Sequence, residues 1–197
     1  SLELTASLGM ACAPQHGREP EALLRAANLA TLEAKAAGRD TLRAFDPALL
    51  ERAERRDMLR EAFVAALAAG ELELHVQPQL DRRTGLLDGG EALIRWHSPR
   101  LGRWVPPPEI LAAAGEAGLL PELDLWVLRS AAALQKSWLG MPGAPPRLGI
   151  NISSVTLHDP RFAQQLCAVL EAEGLPAEAL EIEIPEDLAV RDLPGVA

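Results

Sequence analysis

No run of 18 apolar residues occurs in this chain, so the sequence offers no ordinary helical membrane span. The start, Ser1-Leu2-Glu3-Leu4, lacks the basic-then-apolar order of a secretory leader, and the chain reads as soluble and cytoplasmic. Cysteine is scarce. Cys12 and Cys167 stand far apart within apolar patterns, which argues against a disulfide framework and predicts reduced core thiols. Positive charge is short as well: 19 Lys and Arg against 28 Asp and Glu leave a net charge of −9. That balance excludes a sequence-independent grip on a nucleic-acid polymer, which needs clustered cations to release counterions. A small phosphate ligand held by a few residues and a metal remains compatible. Only Lys35 and Lys136 are lysines, a compositional bias from which no function follows. No internal period suggests a solenoid. His16, His75, His97 and His158 show no metal-type pairing, no Ser/His/Asp spacing stands out, and Gly89-Gly90 reads as a turn beside a strand without the strand-to-helix setting of a phosphate loop.

What is present is a globular chain: 197 residues, 48% apolar, ample for a core. Residues 1 to 12 alternate with the period of a half-buried strand, and Pro14 and Gly17 end it. Pro20 suits a first helical turn, and Leu23, Leu24, Ala27, Ala30, Thr31 and Ala34 repeat at helical spacing until Gly38. Thr41 to Phe45 is a short strand. Asp46-Pro47 opens a long amphipathic helix, Ala48 to Ala69, with a broad apolar stripe and a face of mixed charge, as in a solvated helix joining two domains. Gly70 is a C-cap, and Leu72, Leu74 and Val76 alternate with polar residues in a new strand, so a second domain begins near residue 70. Asp81 to Gly90 supplies turn residues, and Glu91 to Trp96 is the next strand. Pro106 to Ala117 and Pro121 to Leu139 read as helices, Leu148 to Ile152 as a strand, Phe162 to Glu173 as a helix and Leu180 to Ile184 as a strand. Strands alternating with helices on this scale signify a parallel α/β sheet or barrel. The alternation stops after about four strands, too few for the eight of a closed barrel, and the chain reads as cut at both ends.

Three of the later strands carry polar groups: Glu91-Ala-Leu-Ile-Arg95-Trp96, Asn151-Ile-Ser153 and Glu181-Ile-Glu183-Ile-Pro185-Glu186. In α/β barrels the site is built at the C-terminal ends of strands. Asn151 lies late in its run, whereas Glu91 begins its own. Carboxylate and amide oxygens are hard ligands, suited to Mg²⁺ or Mn²⁺. Taken singly, Glu91 reads first as an edge-strand glutamate in solvent and Asn151 as a turn former.

Taken together, Glu71-Leu-Glu-Leu-His-Val-Gln77-Pro78-Gln79, Thr84-Gly85, Glu91 to Trp96, Gly118-Leu119, Trp126-Val127-Leu128, Asn151-Ile-Ser153, Gly174-Leu175-Pro176 and Leu180 to Glu186 resemble, in order, the first half of the EAL domain. That family hydrolyses cyclic di-GMP to linear pGpG. The resemblance implies a partial (β/α) TIM-type barrel over residues 71–197. It implies that Glu91, Asn151 and Glu183 are metal ligands for two Mg²⁺ or Mn²⁺ ions per complete site, and that Glu186 supports the metal-site loop; Glu91, Glu183 and Glu186 are the catalytic carboxylates. It further implies that Gln77, Leu93 and Arg95 contact the dinucleotide, Arg95 through a phosphate, and by analogy alone a homodimer through the EAL domain.

Thr5-Ala-Ser-Leu-Gly-Met, Leu23-Leu-Arg-Ala-Ala-Asn28 and Ala34-Lys35-Ala-Ala-Gly38-Arg39-Asp40 resemble the C-terminal part of an α/β GGDEF domain, the diguanylate cyclase fold. Residues 1–45 are assigned to it and residues 46–70 to a connecting helix. The Gly-Gly-Asp-Glu-Phe loop is absent, so residues 1–45 cannot make cyclic di-GMP. By this resemblance Lys35 and Arg39 are remnants of a GTP-phosphate site, although both also suit a helix C-terminus. Asn28 replaces the usual Asp and Leu32 the usual Tyr. In the EAL part, Pro185 replaces a Thr, Val76 a common Tyr, and Ile110 to Gly115 a more typical segment. The Asp-Asp motif of the family, its later Lys and later Glu and Gln lie beyond Ala197 in a complete domain. The 197-residue chain by itself is therefore expected to be inactive and poorly soluble. The competing expectation is a degenerate EAL module that binds cyclic di-GMP or a protein partner without turnover.

Overall fold

The computed structural model describes residues 4–184, which fall into two units divided between Leu59 and Arg60. In the first, β1 (Leu8–Met10), α1 (Pro20–Ala36) and β2 (Leu42–Ala44) make a βαβ unit in which the strands pair in parallel, Leu8 opposite Leu42. Helix α1 starts on Pro20, whose missing N–H costs nothing in a first turn, and buries Ala26, Ala30 and Ala34 at a four-residue spacing. Such small side chains let the helix lie directly on the strand. A Cβ at Gly9 would collide with the Ala27 carbonyl oxygen and the Thr31 backbone nitrogen, so only glycine fits there. Of the strand expected over residues 1–12, the described residues form Leu8–Met10, the three that find partners on β2.

Helix α2 (Pro47–Ala69) is the long helix expected from the periodicity. Asp46 Oδ1 caps it by accepting the Ala48 N–H at 2.9 Å. In its second half, Phe63 is fully buried and meets the buried Trp96 ring edge to face, centroids 6.1 Å apart. Trp96 Nε1 donates to Glu71 Oε2 at 3.3 Å.

In the second unit, β3 (Leu72–Leu80) and β4 (Leu87–Ser98) form a hairpin; then follow β5 (Arg103–Val105), α3 (Pro107–Ala117), α4 (Leu120–Trp138), β6 (Leu148–Asn151), α5 (Ser154–Leu157), α6 (Phe162–Glu173) and β7 (Leu180–Glu183). The strand order is β3-β4-β6-β7, with β5 paired to β4. β4, β6 and β7 run parallel, as the helix-linked alternation predicts, but β3 is antiparallel to β4. The short link between β3 and β4 forces this, since a parallel neighbour needs a crossover of a dozen or more residues. Asp81 Oδ1 organises the link by accepting the backbone N–H of Arg83 (2.9 Å) and Thr84 (2.6 Å) and the Thr84 hydroxyl (2.9 Å). Among the described residues the sheet stays open and no barrel closes.

Three expectations need correction. β4 begins at Leu87, so Gly89-Gly90 is strand rather than turn and Glu91 lies inside its strand rather than at the start. β5 and α5 are additional elements, too short to show a period. Cys12 and Cys167 are free thiols but not core residues: Cys12 is half-buried and Cys167, on α6, is exposed.

Period-two alternation sorts the sheet residues onto two faces. Ala92, Leu148, Ile150 and Leu180, with Leu74, Val76 and Ile182, join Val127, Leu128, Ala131 and Ala132 of α4 in one core. The register therefore assigns the intervening residues, Gln77, Glu91, Leu93, Arg95, Gly149, Asn151, Glu181 and Glu183, to the opposite face.

Candidate active site

Glu91 lies opposite Gln77 on β3 and opposite Gly149 on β6, while Asn151 lies opposite Glu183 on β7. Asn151 and Glu183 are the last residues of their strands, so two of the three expected ligands stand at the C-terminal edge. Asn151 Nδ2 donates to Glu91 Oε1 at 3.0 Å across the β4–β6 boundary. Glu183 reaches back over Gly149: a Cβ there would stand 2.8 Å from Glu183 Oε1. Glycine thus leaves the space into which the third side chain folds, and Glu91, Asn151 and Glu183 come together as one group.

The electrostatics agree with that proximity. Burial pushes the Glu183 carboxyl above its ordinary value, the charges of Glu91 and Glu181 push it further, and a hydrogen bond from Asn151 opposes the rise. At the opposite end of these strands, Arg147 donates to Glu181 Oε2 and to Asp88 Oδ2, both at 2.8 Å, tying β7 to β4 across the entry to β6.

The remaining predicted residues are placed as follows. Leu93 lies opposite His75 and Arg95 opposite Glu73, on the same face as Glu91. Arg95 is partly buried and its Nη1 donates to the Ile94 carbonyl at 2.8 Å. Glu186 and Pro185 lie outside the described residues. Lys35 stands in the last turn of α1, and Arg39 follows it with φ 63°, its N–H donating to the Ala34 carbonyl at 3.2 Å. Both side chains are exposed at the helix end. The histidines form no cluster: among the described residues no group of three His, Cys, Asp or Glu is arranged for a metal. His75 and His97 instead meet the Trp104 ring edge-on, at 6.3 and 5.2 Å.

Sequence reasoning missed two parts of the site. Gly149 gave no sign, because its importance lies in a side chain 34 positions away. The second is a buried tie beneath Asn151: Asp124 Oδ2, on α4, accepts the Ser153 N–H (3.1 Å), the Ser153 hydroxyl (2.5 Å) and the Thr156 hydroxyl (2.6 Å). Ser153 was noted only as part of Asn151-Ile-Ser153; its capping of α5 and its carboxylate partner on another helix were not read.

Comparison with known proteins gives this arrangement a family. The EAL domain model matches residues 56–194, and the chain belongs to the EAL domain family. An uncharacterized signaling protein of Caulobacter vibrioides is 35% identical over 191 residues, covering 97% of this chain and 23% of its own length. The cyclic di-GMP phosphodiesterase NbdA of Pseudomonas aeruginosa is 35% identical over 188 residues, covering 95% of this chain and 24% of its own. The chain thus spans about a quarter of the length of these curated relatives. Among solved structures, the PaMucR phosphodiesterase in complex with c-di-GMP aligns with a TM-score of 0.62 at 28% identity, over 68% of this chain and 54% of that one. The FimX EAL domain of Pseudomonas aeruginosa bound to c-di-GMP aligns with a TM-score of 0.58 at 32% identity, over 66% of this chain and 51% of that one. Among the described residues no helix is long and apolar enough to cross a membrane.

Proposed function

We propose that this chain carries active-site residues of a divalent-metal-dependent cyclic di-GMP phosphodiesterase that releases linear pGpG. The observation that supports this most directly is the meeting of Glu91, Asn151 and Glu183 on one sheet face, with Asn151 donating to Glu91 at 3.0 Å and lying opposite Glu183 in the β6–β7 register. Two carboxylates close enough for the charge of Glu91 to raise the Glu183 carboxyl form a site that favours a cation. Their oxygen donors, with the amide oxygen of Asn151, match the hard ligands that Mg²⁺ and Mn²⁺ take. When bound, two such ions would polarise the phosphodiester, lower the pKa of an attacking water and stabilise the attacking and leaving oxygens of an in-line displacement.

This chain's own residues supply the rest. In the absence of a cation the Asn151 amide separates the two carboxylates, and turning it end for end would present its carbonyl oxygen instead. Without a cation the acidic face repels a phosphodiester anion, which makes ion binding the condition for substrate binding. Arg95 is the cation two positions along β4 from Leu93, on the face of Glu91, and it is assigned to a substrate phosphate; Leu93 and Gln77 flank the dinucleotide. Glu186 supports the metal-site loop by resemblance. The βαβ arrangement of β1, α1 and β2 is compatible with a GGDEF remnant over residues 1–45, without a role in hydrolysis.

The test is hydrolysis of cyclic di-GMP with Mn²⁺ by the full-length protein containing this chain, beside Glu91→Ala. Turnover to pGpG that disappears in Glu91→Ala upholds the reading. Tight binding of cyclic di-GMP without turnover replaces it with a receptor.

A further inference from the structure

Asp124 is a charged residue only 3% exposed, on a helix whose other buried positions are largely apolar. A buried carboxylate is costly unless it is fully hydrogen-bonded, and α4 could pack without one. Its three donors all come from the segment that leaves β6, Ser153 N–H, Ser153 Oγ and Thr156 Oγ1, at 3.1, 2.5 and 2.6 Å. That segment starts two residues after Asn151. The sheet holds it weakly there: β6 ends at Asn151, and the next ladder contact, the Ile152 N–H to the Glu183 carbonyl, is stretched to 3.5 Å. The Ile152 side chain is 1% exposed in the core, which fixes depth but not direction. Capping of α5 does not require Asp124, since Ser153 Oγ itself accepts the Thr156 N–H at 3.4 Å.

We propose that Asp124 is a positioning residue for the divalent-ion site: through Ser153 and Thr156 it fixes the chain where it leaves β6, and so holds Asn151 between Glu91 and Glu183. This rests on the metal-site reading above. Outer groups that orient metal ligands typically change metal affinity by about 10–100-fold when removed.

The test is direct calorimetric titration of Mn²⁺ into the metal-free full-length protein, with thermal unfolding in EDTA measured in parallel. Asp124→Ala should weaken Mn²⁺ binding by about 10-fold or more. Thr156→Val, which removes one donor and keeps the shape, should weaken it by about 3-fold, a smaller loss because two donors remain. Leu128→Val, a change in the core of α4 away from the tie, should lower the melting temperature and leave Mn²⁺ affinity unchanged. Asp124→Asn, which retains an acceptor oxygen, should lie between the unsubstituted protein and Asp124→Ala. The proposal is overturned if Asp124→Ala binds Mn²⁺ as tightly as the unsubstituted protein, or weakens it no more than Leu128→Val at a matched loss of stability. If Asp124→Ala does not fold, Thr156→Val decides, and unchanged affinity there overturns the proposal. Binding that is lost in Glu91→Gln but intact in Asp124→Ala defeats this inference alone, whereas an unsubstituted protein that binds no Mn²⁺ defeats the metal-site reading beneath it.

Discussion

Replacing Asn151 by Asp should convert a hydrogen bond into a repulsion and make stability depend on divalent ions. Asn151 Nδ2 sits 3.0 Å from Glu91 Oε1. A hydrogen bond to a charged acceptor contributes about 1.5 kcal/mol at the low end of its range. Two unit charges at the 3.0 Å separation of that pair repel by about 1.4 kcal/mol in water's dielectric and about 5.5 kcal/mol at an effective dielectric near 20. Asn151 is exposed, so the aqueous figure is the appropriate one. Asn151→Ala should therefore cost about 1.5 kcal/mol and Asn151→Asp about 3 kcal/mol in EDTA at low salt and neutral pH. At about 3 °C per kcal/mol, the two variants should melt about 4 °C apart. Saturating Mn²⁺ should close or reverse that gap, because the added carboxylate is itself a hard ligand, whereas Asn151→Ala gains little. The assay is thermal unfolding by circular dichroism in EDTA and in MnCl₂, at two salt concentrations. Equal melting temperatures for the two variants in EDTA would refute the claim that Asn151 separates two carboxylates.

The other expectations concern charge, cation binding, packing and a cap. The Glu183 carboxyl is raised above its unfolded value, so between the two values the folded state binds more protons and stability falls as pH rises. Glu183→Gln should accordingly gain stability in EDTA above the raised pKa, lose that advantage as pH falls through it, and fail to bind Mn²⁺; a pH series of melts checks the slope. If Arg95 has the phosphate role proposed for it, Arg95→Ala should weaken binding of cyclic di-GMP in Ca²⁺ by about 10-fold while Mn²⁺ titration is unaffected. Phe63→Ala should destabilise the second unit by about 3–5 kcal/mol through the cavity left against Trp96, measured by urea unfolding. Gly118 closes α3 at φ 69°, and Gly118→Ala should cost about 1 kcal/mol by the same assay.

Helices were the most legible part of the fold, because each carries its own start and stop: Pro20 opens α1, Asp46 caps α2, and Gly118 and Gly174 end α3 and α6 at φ 69° and 67°. Strands were legible in kind but not in extent, since their ends depend on partners. β4 outran its apolar stretch at Gly89-Gly90 because β3 and β6 pair with it there. The antiparallel entry of β3 was implicit in the short link at Asp81 to Leu86 but went unread in favour of an all-parallel sheet. Within the site, Glu91, Asn151 and Glu183 were visible as polar residues in apolar strands, and register brings them together. Gly149 and Asp124 stayed hidden for opposite reasons. One acts by lacking atoms, and the other resembles any helix-surface aspartate until Ser153 and Thr156 are placed against it.

The two-face alternation gives the sheet something like a reading frame. β4 presents Glu91, Leu93 and Arg95 on one face and Ala92, Ile94 and Trp96 on the other. Losing a single residue from the middle of this strand would exchange those sets beyond the break, sending an arginine into the core and a tryptophan to the polar face. The turn from Asp81 to Leu86 carries no such frame, so a length change there shifts no side chain across the sheet. Indels in descendants of this sequence should therefore collect in the link and be purged from the strand, even at strand positions with no proposed role in binding.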